Sequence, residues 1–186
     1  EQTLGALEGE KDYLLDQFRA QLFIKHGRYA DAAGILTSVG LHMSEPDLLN
    51  DAAALALDAK PRRLDLAISA LEAALVVCPN DLKSNRMLAF AYIQLQGFAS
   101  AADCFARKRE IEPGEPLHAL NHAQCCALAN QPKEALEIYG ELCSKPDAPI
   151  EAHLAHALLI ADLGEPSKAF TTLHNIRGQH WGEPAF

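Results

Sequence analysis

The sequence predicts an all-α solenoid of about five stacked helix–turn–helix hairpins, and three observations carry that prediction. An alanine recurs at Ala32, Ala67, Ala101, Ala135 and Ala169, with spacings of 35, 34, 34 and 34 residues. Four residues after each stands a larger apolar side chain: Leu36, Leu71, Phe105, Tyr139 and Leu173. Twelve residues before each lies a further apolar position: Ala20, Leu55, Ala89, Ala123 and Ala157. Small residues let two helices approach closely, and the bulky residue one turn on fills the space around them. A hairpin this short leaves an apolar face that only the next copy covers, so the period implies stacking.

The repeating unit is clearest at residues 82–113, LKSNRMLAFAYIQLQGFASAADCFARKREIEP. Leu88, Ala89 and Tyr92 share one helical face. After the break at Gln96-Gly97, Phe98, Ala101, Ala102 and Phe105 share another. Pro113 closes the unit; Pro79 holds the same place one repeat earlier, and Pro146 comes one residue early in the next.

Residues 1–12 place Leu4 and Leu7 among Gly5 and Gly9. Two glycines weaken a helix, so the stretch reads as a lead-in, with an extra self-associating helix as the alternative. Repeat one starts near residue 13; Asp16 and Arg19 stand at usually apolar positions of its first helix, the polar edge expected of a terminal repeat. Repeat two starts near 48. Its second helix, 64–77, buries Leu71, Ala74 and Leu75, but Asp51 and Asp58 fall on packing positions of its first, 47–59. That helix is expected to be shifted by a turn before Lys60-Pro61. Repeat three starts near 82 and repeat four near 116, with a turn at Asn130 and a restart at Pro132-Lys133-Glu134-Ala135. Repeat five, from about 150, repeats that device as Glu165-Pro166-Ser167-Lys168-Ala169. Proline suits a first helical turn, where its missing N–H has no intrahelical partner anyway. The array ends near 177, and the tail 178–186 is too short for a sixth hairpin. Either Trp181 and Phe186 fold back as a cap, or the cap lies beyond residue 186.

A 34-residue period of paired helices, with Gly27, Tyr29 and Ala32 matching a Gly-x-Tyr-x-x-Ala turn, resembles the tetratricopeptide repeat (TPR) family over about residues 13–177. The resemblance implies a right-handed solenoid whose first helices line a concave groove for a partner segment. Carried over, the groove residues are Leu14, Gln17 and Gln21 from repeat one and Lys83, Arg86, Phe90 and Ile93 from repeat three. Repeat four adds Leu117, Leu120, Gln124 and Leu128, and repeat five adds Glu151, Leu154 and Leu158. Some TPR proteins grip a C-terminal carboxylate; Lys83 and Arg86 supply half of that set, but Gln17 and Gln21 replace its asparagines. A compact, acidic, cysteine-bearing chain of this kind also resembles the bacterial chaperones of type III secretion, which hold apolar segments of secreted subunits.

Composition narrows the functions. A net charge of −9 offers no Lys/Arg stripe for a phosphate backbone, so a nucleic-acid partner is not expected. No apolar run reaches the roughly 18 residues of a membrane span, and no signal peptide is visible. Five cysteines, all within helical patterns, read as small apolar groups kept reduced in the cytoplasm. No glycine-rich phosphate loop, G-x-S-x-G elbow or H-E-x-x-H is present, so neither enzyme chemistry nor a cofactor is expected. His118, His122 and Cys126 at i, i+4 and i+8, with His153 and His156 on the equivalent next helix, are zinc-type ligands. They fall mostly on packing positions with no evident carboxylate beside them, so packing is the preferred reading. The expected function is a protein- or peptide-binding scaffold or chaperone. A self-associating assembly protein using the same groove is the alternative, and a zinc protein ranks third.

Overall fold

A computed structural model describes residues 13–180, with side chains as far as residue 174. The expectations for residues 1–12 and for Trp181 and Phe186 lie outside the described residues. Among these, ten helices and no strand are found. They are α1 (Tyr13–Lys25), α2 (Tyr29–Met43), α3 (Pro46–Asp58), α4 (Leu64–Val77) and α5 (Leu82–Gln94), then α6 (Phe98–Ile111), α7 (Pro116–Leu128), α8 (Pro132–Cys143), α9 (Ile150–Asp162) and α10 (Pro166–His180). The last runs three residues into the expected tail.

The described residues form two compact units that divide between Ala91 and Tyr92, unit 1 before the division and unit 2 after it. In unit 1, α1 packs on α2, α2 on α3 and α3 on α4, with α2 also touching α4. In unit 2, α6 packs on α7, α7 on α8, α8 on α9 and α9 on α10, and α7 also touches α9. Each hairpin hides the predicted alanine: Ala32, Ala67, Ala101, Ala135 and Ala169 are all buried. Phe105 and Tyr139, one turn later, are among the largest fully buried side chains. In unit 1, Gly40 lets α2 meet α3, since a Cβ there would stand 2.9 Å from Leu49 Cγ.

The turns inside the hairpins share one geometry. Gly27, Gln96, Asn130 and Gly164 each have positive φ, seven residues after the buried Ala20, Ala89, Ala123 and Ala157. In each case the next N–H reaches back to a carbonyl five residues earlier: Arg28 to Phe23, Gly97 to Tyr92, Gln131 to Cys126 and Glu165 to Ile160. This is the Schellman closure, which satisfies carbonyls the ending helix leaves free. Repeat two departs from it. Ala53, not Leu55, is the fully buried residue, and Ala53 stands fourteen residues before Ala67 instead of twelve. Its turn is two residues longer and closes through Arg63 N–H to Ala56 O at 2.9 Å. The helix is therefore displaced by two residues, less than the turn expected, and Asp51 and Asp58 both face solvent.

The first turn of α5 begins on a polar cluster within unit 1. Asp81 stands just before α5 and accepts hydrogen bonds from the Ser84 N–H at 2.9 Å and from Asn50 Nδ2 at 3.0 Å. Ser84 Oγ donates to Asn50 Oδ1 at 2.8 Å and also contacts Asp81. Burial alone would raise the Asp81 pKa, but the bonds from Ser84 and Asn50 outweigh it and hold the carboxyl below its usual range. The expected polar edge of α1 is present but shared with apolar side chains. Asp16 and Arg19 pair with each other at 3.2 Å, while Leu14, Leu15, Phe18 and Leu22 are exposed.

Candidate functional site

Each unit presents its own share of the predicted groove residues. In unit 1, Leu14, Gln21, Lys83, Arg86 and Phe90 are exposed, and Gln17 is half-buried with its amide 3.7 Å from the Met43 sulfur. In unit 2, Ile93 is half-buried, while Leu117, Gln124 and Leu128 on α7 and Glu151, Leu154 and Leu158 on α9 are exposed. The four leucines are 53%, 61%, 46% and 65% exposed in chain order. They belong to adjacent helices that touch, and Glu151 is the one charged residue among these positions of α7 and α9.

Leu120 must be struck from this face, because it is only 6% exposed. At 100° per residue it stands about 60° from Leu117 around the helix axis, whereas residues 124 and 128 stand within about 20° of it. The exposed stripe passes instead through the half-buried Asn121, and Leu120 belongs with His118, Ala119, His122 and Ala123 on the side that packs. Sequence reading also missed Leu15, Phe18 and Leu22 on α1; their apolar spacing was the signal, overlooked in favour of Asp16 and Arg19.

The histidine and cysteine cluster separates into three environments. His118 Nε2 lies 2.8 Å from a Glu112 carboxylate oxygen, and its Nδ1 is buried without a hydrogen bond. On α9, His153 is buried, and His156 stacks on Tyr139 with ring centres 6.0 Å apart. Burial, then His153 and Lys168, lower the His156 pKa. Burial also pushes the Tyr139 hydroxyl up to about 12 and the Cys143 thiol to about 11. All five cysteines are free thiols.

His122 and Cys126 keep company with a carboxylate the sequence reading did not place. Glu134, on the first turn of α8, joins them so that their ligand atoms all lie within 4.8 Å of one another. Arg109 of α6 lies beside them, its Nη1 3.1 Å from His122 Nδ1 and its Nη2 3.3 Å from Glu141. A guanidinium only donates, so Nδ1 accepts and the neutral imidazole carries its proton on Nε2, 3.8 Å from Glu134. Burial and then Arg109 lower the His122 pKa against the opposing fields of Glu134 and Asp103. Burial, then Glu134, raise the Cys126 thiol to about 11. An open cleft of about 360 Å³ adjoins these groups, lined by Arg109, His122, Ile138, Glu141 and Lys145 among others. Among the described residues, no helix is long and apolar enough to cross a membrane.

No protein-family model matches the sequence, and no curated protein sequence does. Solved structures match it in fold. A structure of MamA AMB-1 is 18% identical, with a TM-score of 0.63 over 93% of this chain and 94% of its own. A crystal structure of MamA is 14% identical, with a TM-score of 0.63, covering 86% of this chain and 93% of that one. MamA from Desulfovibrio magneticus RS-1, from residue 41 to its end, is 11% identical, with a TM-score of 0.61 over 95% and 99%. MamA is a TPR-like helical-repeat protein, and at these identities the likeness is one of fold. The all-α TPR-type solenoid read from the 34-residue period is thereby established.

Proposed function

We propose that this chain is a non-enzymatic scaffold that holds an apolar segment of another protein against the exposed leucines of α7 and α9. The observation that carries this reading is the placement of Leu117, Leu128, Leu154 and Leu158, all exposed, on two helices that touch. Scattered surface leucines are ordinary, but an aliphatic strip continued from one hairpin to the next marks an interaction surface. The strip suits an amphipathic segment with apolar anchors at helical spacing. Glu151 at its edge and the net charge of −9 favour basic residues flanking those anchors. The same charge argues for protein over nucleic acid, and the free thiols fit a reducing compartment such as the cytoplasm. Holding apolar segments is also the task of a chaperone, although this reading does not require the resemblance to type III secretion chaperones.

The test is the double substitution Leu154→Glu with Leu158→Glu, compared with wild type in affinity capture from the source organism followed by mass spectrometry. Both positions are exposed, so circular dichroism should be unchanged while the captured partner disappears; undiminished capture overturns the assignment. Light scattering separates the competing outcome, self-association through the same leucines. In that case the wild type is an oligomer and the double variant dissociates it.

A further inference from the structure

We propose that His122, Cys126 and Glu134 form a binding site for one divalent cation of the zinc class. The site lies within unit 2 and is independent of the leucine face. His122 and Cys126 stand one turn apart on α7 and so project from the same side of that helix. The positive-φ turn at Asn130 reverses the chain, and the first turn of α8 returns Glu134 to them. Three donors of different kinds thus come within 4.8 Å of one another from a stretch of thirteen residues.

Tetrahedral zinc with sulfur, nitrogen and oxygen ligands holds its donors roughly 3.5 Å apart. Closing the observed arrangement to that distance asks for a movement of about 1 Å. Glu134, with half its side chain in solvent, is the donor free to make it. A thiolate in the set disfavours magnesium and calcium, while mixed imidazole, thiolate and carboxylate ligation suits zinc and its cobalt surrogate. Three protein ligands leave the fourth position to water. Charge agrees. The fields of Glu134 and of Asp103 of α6 act on both His122 and Cys126, so two carboxylates bear on the site. Arg109 opposes them but is already paired with Glu141, which leaves a dication to provide the balance.

The geometry also names the competitor. In the metal-free arrangement Arg109 donates to His122 Nδ1, and Nε2 therefore carries the proton. Coordination through Nε2 shifts that proton to Nδ1 by exchange with solvent, and only the Cys126 thiol proton is released. The imidazole proton must then sit on Nδ1, so Arg109 leaves it and turns towards Glu141. Arg109 thus sets how tightly the cation is held.

The experiment titrates the purified chain with Co²⁺ and follows thiolate-to-cobalt charge-transfer absorption, with Zn²⁺ as the displacing ion. The expected result is one equivalent bound, the band abolished by zinc and by Cys126→Ser, and affinity reduced at least tenfold by Glu134→Gln. Glu134 is exposed, so Glu134→Gln should keep the wild-type circular dichroism, which guards against a misfolded Cys126→Ser. Arg109→Gln should bind more tightly than wild type. A band that survives both Cys126→Ser and Glu134→Gln, or no equimolar uptake at all, overturns the site.

Discussion

Leu120 and Leu158 are the same residue type on the first helices of consecutive hairpins, and the structure assigns them opposite roles. Leu120 is 6% exposed and Leu158 is 65% exposed. Leu120→Ala removes three buried carbon groups at about 0.8 kcal/mol each. A cavity then remains on a helix packed between α6 and α8, which brings the expected loss to about 3 kcal/mol, within the usual range for buried leucine. Leu158→Ala removes atoms that are mostly in water, so its cost should stay within about 0.5 kcal/mol. Urea unfolding followed by circular dichroism reads the difference as a midpoint shift at constant slope. In a partner-capture assay the order reverses: Leu158→Ala weakens binding with stability intact, and Leu120→Ala weakens it only as far as the fold is lost. Equal destabilisation by the two substitutions would refute the assignment of Leu120 to the packed side of α7 and Leu158 to the open face.

Two further perturbations probe the interior of each unit. Asp81→Ala removes the acceptor that caps α5 through Ser84 N–H and leaves Asn50 Nδ2 without that acceptor in a buried setting. Losing the cap costs about 1 kcal/mol and the stranded donor about 1–3 kcal/mol, so urea unfolding should show a loss of about 2–4 kcal/mol in unit 1; a loss under about 0.5 kcal/mol would contradict the cluster. In unit 2, His156 has a pKa held below its ordinary value by burial, then by His153 and Lys168, while Tyr139 stacks on it. Its folded pKa is depressed, so the unfolded chain takes up the proton first. The contribution to stability is whole above the unfolded value of about 6.5 and declines as pH falls below it. Unfolding measured at neutral and mildly acidic pH should show that decline in wild type and a smaller one in His156→Phe, which keeps the ring stack.

The helix pairing was legible because every hairpin hides one alanine at the same crossing, and a buried small residue leaves a periodic mark whatever surrounds it. The displacement of α3 left no such mark. The extra residues lie in the turn before Arg63, and the spacing between second helices stays close to 34, so a fixed period assigns Leu55 where Ala53 is the buried residue. Leu120 fails for a different reason: it is a groove position carried over from the resemblance, and its offset of about 60° from Leu117 crosses from solvent to core on a helix whose packed side includes His118, His122 and Cys126. The carboxylate beside His122 and Cys126 shows the limit most clearly. The turn at Asn130 and the restart at Pro132 are both legible in the sequence, which already places the first turn of α8 against the end of α7. What the sequence alone lacks is the direction of each side chain once that turn has closed. His118, spaced as a ligand, turns to Glu112, while Glu134, eight residues beyond Cys126 and on another helix, comes to it. Ligand spacing along one helix states which donors share a face; a donor delivered by the next helix becomes visible only when the geometry of the intervening turn is worked out residue by residue.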